Sequence, residues 1–162
     1  MPSATAPIRP APPIDGRQSA TALAVARGTQ RLLRSMGFAC VCELPLASGR
    51  RADLVALGGE GTVWIVEIKS SIEDLRADHK WPDYRLHCDR LFFATAPHVP
   101  ATIFPEDAGL IVADGFAAEL LRDAPEHRLH ATTRKHMTLA FARAAALRLQ
   151  SLADPHGRFS DG

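Results

Sequence analysis

Between residues 51 and 69 the sequence reads Arg-Ala-Asp-Leu-Val-Ala-Leu, then Gly58-Gly59-Glu60-Gly61, then Thr-Val-Trp-Ile-Val-Glu-Ile-Lys. Two short apolar runs rich in strand formers, joined by a glycine-rich turn, specify an antiparallel hairpin. In such a hairpin the numbers of facing residues sum to a constant. Closing the turn around Glu60 sets Leu57 opposite Val63, Val55 opposite Ile65 and Asp53 opposite Glu67. That register pairs apolar with apolar, whereas a slip of one residue would turn every side chain to the wrong face. Strand alternation puts Glu67 and Lys69 on one face and Ile68 on the other. The hairpin thus carries two carboxylates on adjacent strands with an amine beside them.

The rest of the chain supplies layers around this hairpin. Residues 19 to 36 have helical periodicity, with Ala22, Val25, Ala26, Leu32, Leu33 and Met36 on one face, Leu23 as the exception, and Gly37 as the stop. Arg27, Arg31 and Arg34 recur on the opposite face with no acid in the segment, which reads either as a solvated face or as a row for phosphates. Residues 38 to 46 read as a strand that completes a meander with the hairpin. Ser70 and Glu73 have capping-box spacing and open a helix, which Pro82 interrupts with Trp81 at the joint. Residues 91 to 95 and 109 to 113 read as short strands separated by a loop holding Pro97, Pro100 and Pro105. A terminal helix is expected over residues 133 to 153, with Met137, Ala140, Phe141, Ala144 and Leu147 as its core side and Pro155 beyond it. The expected class is mixed α/β: a central mixed sheet of about five strands flanked by helices, in the order α-β-β-β-α-β-β-α.

Composition bounds the functional classes. With 46% apolar and 23% charged residues in 162, one compact domain is expected over residues 19 to 153. An Ala/Pro-rich disordered tail is expected over residues 1 to 18 and a frayed end over residues 154 to 162. Three cysteines, no signal-type apolar region and no uninterrupted membrane-length run point to a cytoplasmic, non-membrane protein. A net charge of +1 decides nothing about nucleic acid. Locally, residues 126 to 148 carry five basic residues against Glu126 alone and read as a basic patch, with His127, His130 and His136 in or near a basic loop. Cys40-Val41-Cys42 lacks the second spaced pair of a zinc site and reads as two small hydrophobes. Tyr84, Trp64 and Trp81 read as core or joint residues.

Two carboxylates held this close repel unless a proton or a cation lies between them. A hard divalent ion of the Mg²⁺ or Mn²⁺ type suits oxygen ligands from two carboxylates and a main-chain carbonyl, and leaves positions for water and a phosphate oxygen. Sixteen of the nineteen basic residues are arginine, so a lysine at position 69 suggests proton handling, which arginine does not perform.

These residues also carry a resemblance. A strand with Asp53, a turn, a strand ending Glu67-Ile68-Lys69 and a capped helix, preceded by an amphipathic helix, resembles the restriction-endonuclease-like PD-(D/E)XK nucleases. The longer run Glu67-Ile68-Lys69-Ser70-Ser71-Ile72-Glu73-Asp74, with Lys80-Trp81-Pro82, Tyr84 and Cys88-Asp89-Arg90 before Phe92-Phe93-Ala94, is similar more narrowly to the MmcB-like bacterial DNA repair proteins. The resemblance covers residues 19 to 152. It implies a metal site of Asp53, Glu67 and the Ile68 carbonyl, with Lys69 orienting or deprotonating the attacking water, and DNA phosphodiester hydrolysis in repair. Ala52 stands where the motif has proline. Many relatives add an acid from the first helix, which has none here, and Glu43 is the candidate substitute. Arg27, Arg31, Arg34, Arg50 and Arg51 are the candidate phosphate contacts. The alternative is a nuclease-fold protein that binds DNA or a repair partner without cutting.

Overall fold

The computed structural model describes residues 19–157. The expected amino-terminal tail, and the last five residues of the expected carboxy-terminal one, lie outside them. Helix α1 (Ala20–Ser35) begins where the Ser19 hydroxyl accepts the Ala22 N–H at 3.1 Å, and stops at Gly37, whose φ of 89° favours glycine. Strands β1 (Ala39–Pro45), β2 (Arg51–Leu57) and β3 (Val63–Lys69) form the antiparallel meander, with Val55 facing Ile65 and Leu57 facing Val63. Helix α2 (Ile72–Ala77) and a 3-10 segment at Trp81–His87 then carry the chain to β4 (Arg90–Thr95), parallel to β3. Strand β5 (Gly109–Ala113) adds parallel to β4, β6 (Ala118–Arg122) adds antiparallel to β5, and α3 (Ala131–Ala153) follows. The sheet order is β1-β2-β3-β4-β5-β6, a mixed sheet of six strands.

The sixth strand corrects the expected five. Its sequence, Ala-Glu-Leu-Leu-Arg, consists of good helix formers, and pairing with β5 at the sheet edge overrides that preference. The cap of α2 is also one residue later than expected. Ser71, not Ser70, accepts the Asp74 N–H at 3.2 Å, while the Ser70 hydroxyl and N–H both donate to Asp74.

Helices cover both faces. Val41, Val55, Val63 and Ile65 pack under Tyr84 and the α3 residues Met137 and Phe141, while Leu54, Ala56, Val66, Phe92 and Ile111 pack under Val25 and Leu33 of α1. Leu147, expected in the core, is 53% exposed, because α3 bears on the sheet mainly through residues nearer its start. The expected basic patch is partly structural. Arg134 grips the buried Asp89 with two nitrogens at 2.7 and 2.8 Å and donates to the Gly61 carbonyl; Arg148 donates to the carbonyls of Cys42 and Glu43.

Gly28 sits in mid-α1, where it costs about 1 kcal/mol against alanine. The space explains it: a Cβ there would lie 2.2 Å from the Asp114 carbonyl oxygen and 2.6 Å from that of Ala117. The turn between β5 and β6 therefore rests directly on the helix backbone. Gly28→Ala is expected to destabilise the chain by about 1–3 kcal/mol despite its better helix propensity. Gly59→Ala, where a Cβ meets nothing within 4 Å, serves as the control and should change little. Urea unfolding of the two variants checks this.

Candidate active site

Strand β3 delivers Glu67 and Lys69 to its carboxy-terminal end, and β2 delivers Asp53 beside them. The β2–β3 ladder stops at Leu54 facing Val66. Beyond it, side chains replace main-chain pairing: Glu67 Oε1 accepts the Asp53 N–H at 3.2 Å, and Asp53 Oδ2 accepts the Ile68 N–H at 2.8 Å. The sequence register continues through this pair in side-chain form. The N–H and C=O of one strand residue point to the same side, so the Ile68 carbonyl faces the opened side as well. The Lys69 carbonyl turns the other way and accepts the Thr95 hydroxyl at 2.7 Å.

These groups open on a cleft of about 650 Å³ walled by Asp53, Glu67, Ile68, Lys69, Asp78 and Tyr84, and by the first turn of α1. A contact of 3.4 Å between the Ser19 and Ser70 hydroxyls ties that turn to the end of β3. Glu67 is only 3% exposed. Burial, and next the charge of Asp53, push its carboxyl well above the ordinary glutamate range; burial likewise raises Asp53, against the pull of the Ile68 N–H. A buried and a half-buried carboxyl that both resist ionisation, with hydrogen-bonded contact between them, form an all-oxygen donor set whose repulsion a hard cation relieves. The donors present fit a Mg²⁺ or Mn²⁺ ion held by Asp53, Glu67 and the Ile68 carbonyl.

Lys69 has a partner that the sequence reading missed. Its Nζ lies 2.7 Å from Asp78 Oδ2, with both side chains mostly buried. Burial alone would raise the Asp78 carboxyl, but the hydrogen bond from Lys69 and that from the Lys80 N–H hold it below the ordinary range. Nothing in the local pattern singles out Asp78, which is brought back to β3 by the turn after α2. Tyr84, read as core, both packs under the sheet and lines the cleft; its hydroxyl donates to the Arg51 carbonyl at 3.0 Å.

Other expected contributors lie apart from the cleft. Glu43 sits between the ladder pairs Cys42–Leu54 and Leu44–Ala52 with φ 53°, a left-handed conformation uncommon for a residue with a Cβ. This kink seats it, 7% exposed, against Arg51 rather than on the cleft wall. Arg50 is bound to Asp83 through Nε at 3.1 Å and Nη2 at 2.7 Å. Arg27, Arg31 and Arg34 line a separate groove along α1 with Phe38, Ala39 and Cys40. Burial, and next the neighbouring Cys42, push the Cys40 thiol up to about 12, the behaviour of a packed side chain rather than a metal thiolate. Among the described residues no three His, Cys, Asp or Glu side chains converge as a ligand set. A cation in the cleft would therefore rest on two carboxylates and main-chain oxygen. No helix among the described residues is long and apolar enough to cross a membrane.

Comparison with known proteins places the whole domain in a family. The family model of DNA repair proteins described as MmcB-like matches residues 9–156. A solved protein of unknown function from Silicibacter pomeroyi is similar at 41% identity and a TM-score of 0.85, over 90% of this chain and 99% of that one. A repair endonuclease from Pyrococcus abyssi aligns at 16% identity and a TM-score of 0.35, over 54% of this chain and 42% of that one, too distantly to carry an argument. No curated protein matches the chain. From residue 9 to residue 156, and so through both helical layers and every strand, this chain belongs to the MmcB-like family of DNA repair proteins.

Proposed function

We propose that the chain is a divalent-metal-dependent deoxyribonuclease that hydrolyses DNA phosphodiester bonds in repair. The observation that carries this reading is the hydrogen-bonded, part-buried Asp53–Glu67 pair at the mouth of the cleft with the Lys69 amine beside it. A bound Mg²⁺ or Mn²⁺ would supply charge stabilisation and a more acidic water. The chain's own residues do the rest. Asp78 fixes the Lys69 amine at 2.7 Å, so that it is presented to an anionic phosphate with little rotamer freedom left to lose. The first turn of α1, which has no acidic side chain, adds its positive end to the same cleft. Arg50 and Arg51, each beside a carboxylate, buttress the start of β2. Tyr84 fastens the Arg51 carbonyl there.

One observation favours a second reading: α1 contributes no carboxylate, and Glu43 stands against Arg51 off the cleft wall. A chain with two acidic ligands holds its ion less tightly, and in this reading it binds DNA or another repair protein without cutting. The test is incubation of purified protein with branched, single-stranded and duplex DNA, with Mg²⁺, with Mn²⁺ or with chelator. Cleavage that requires the metal and disappears in Asp53→Ala is expected. Wild-type protein that binds DNA and leaves every substrate whole would overturn the catalytic reading in favour of the second.

A further inference from the structure

Phe116 is 80% exposed, more than any other large apolar side chain among the described residues. It stands on the four-residue turn that joins β5 to β6, and hydrogen bonds close that turn. Asp114 Oδ1 accepts the Phe116 and Ala117 N–H groups at 2.7 and 2.9 Å, and the Asp114 N–H donates to the Ala117 carbonyl at 3.0 Å. The turn is also pinned to α1, since it rests on the bare backbone of Gly28 and Arg31 Nη1 donates to the Phe116 carbonyl at 3.1 Å. Arg27 reaches the same turn: a Cβ built on Gly115 would lie 3.8 Å from its Nη1.

Among the described residues the arginines here are free of counter-charge, as are the exposed Arg76, Arg128 and Arg143, but only here do they flank an exposed aromatic ring. Arg50, Arg51, Arg85, Arg90 and Arg134 each have a carboxylate within an ion-pair distance, whereas Arg27, Arg31 and Arg34 are exposed and have none among the described residues. An exposed aromatic ring carried on a hydrogen-bonded turn, flanked by guanidinium groups without counter-charges, suits a ligand with flat π faces joined by anionic links. Single-stranded nucleic acid has that chemistry: bases stack on aromatic side chains without regard to sequence, and phosphates take arginine. In duplex DNA the bases are already stacked on one another, so the ring gains nothing there.

We propose that Phe116, with Arg27 and Arg31, is a stacking platform for an unpaired base, and that the arginine row of α1 carries the adjoining phosphates. The platform rests on the nucleic-acid part of the proposed function and not on cleavage. The ridge through Thr21, Ala24, Gly28 and Arg31 runs from the cleft wall to the turn, about 10 Å from Thr21 to Gly28 at 1.5 Å per residue. A strand leaving the cleft can therefore reach Phe116 within a few nucleotides, so the substrate class is DNA with an unpaired segment beside the site, such as a gap, flap or fork.

The test is fluorescence anisotropy with a labelled oligothymidylate and a duplex of equal length, in chelator so that no cutting occurs. Wild-type protein should prefer the single strand. Phe116→Ala should weaken single-strand binding by about 5- to 150-fold, the range for loss of one stacked base, and duplex binding by less than about 2-fold. Phe116→Trp should bind at least as tightly and lose indole emission as the strand is added. Arg31→Gln should weaken both ligands and flatten the salt dependence. Equal affinity of wild type and Phe116→Ala for the single strand overturns the platform and leaves the phenylalanine as a contact for a protein partner. Equal loss on both ligands also overturns it. Binding is read without metal, so absence of cleavage alone leaves the platform standing, and loss of the platform leaves the chemistry at Asp53 untouched.

Discussion

Replacing Arg134 by methionine is expected to lower stability by about 3–5 kcal/mol, the usual cost of leaving a buried carboxylate without its cation. Asp89 is 2% exposed and is the hub of three elements. Its carboxylate accepts the Val63 N–H at 2.8 Å and the Leu129 N–H at 2.9 Å besides the two bonds from Arg134; its own N–H and carbonyl bond to Val63 and His127. The pair thereby fixes where β3 and β4 begin and where α3 departs. Burial alone would raise the Asp89 carboxyl. The Arg134 bonds, then the two N–H groups, outweigh it and hold the carboxyl at about 2. A carboxyl depressed in the folded state stabilises it fully above the unfolded value, near pH 4, and progressively less as pH falls toward 2. The deficit of Arg134→Met should therefore be largest at neutral pH, with a midpoint drop of about 10 °C, and should shrink between pH 4 and 2. Lys135→Met, at the next and exposed position, should stay within about 0.5 kcal/mol of wild type. Urea unfolding at pH 7, 5 and 3 measures this; a deficit independent of pH would contradict the assigned role of the ion pair.

How much of the molecule the sequence discloses depends on the range of the interaction. The β2–β3 register is legible because a turn, a period of two and pairing of apolar with apolar all act within twenty residues, and they bring Asp53 and Glu67 together without further information. Strand β6 is not legible, since Leu120 and Leu121 lie in a helix-favouring run and only the edge of β5 makes them a strand. Asp78 escapes for the same reason: its tie to Lys69 depends on where the turn after α2 places it, and an aspartate nine residues past a lysine carries no local signal. Arg134 and Arg148 read as patch charges but serve as internal hydrogen-bond donors. Gly28 in the middle of α1 does carry a local signal, because a helix retains a glycine at such a position where another backbone comes close.

In the proposed reaction Asp53, Lys69 and Asp78 have different tasks, which three variants separate. Asp53→Asn should lower the single-turnover rate at least about 100-fold, judged from the usual contribution of one acid–base or ligand group, and should also abolish calorimetric binding of Mn²⁺. Lys69→Ala should lose about 10²- to 10⁴-fold in rate while keeping the Mn²⁺ site, because the amine is paired with Asp78 rather than with the ligand pair. Asp78→Asn removes only the group that orients that amine, and a loss of about 10- to 100-fold is expected, comparable to the loss of an orienting partner elsewhere. Stability distinguishes these effects from simple unfolding. An amide at position 53 still accepts the Ile68 N–H through its oxygen, and it ends the repulsion with Glu67. Asp53→Asn should thus melt no lower than wild type in chelator, even though its activity falls at least about 100-fold. A variant that kept Mn²⁺ binding and cleavage with Asn at position 53 would place the metal somewhere other than between β2 and β3, and would overturn the site proposed for it; the other acids lining the cleft are Asp74, bonded to Ser70, and Asp78, paired with Lys69.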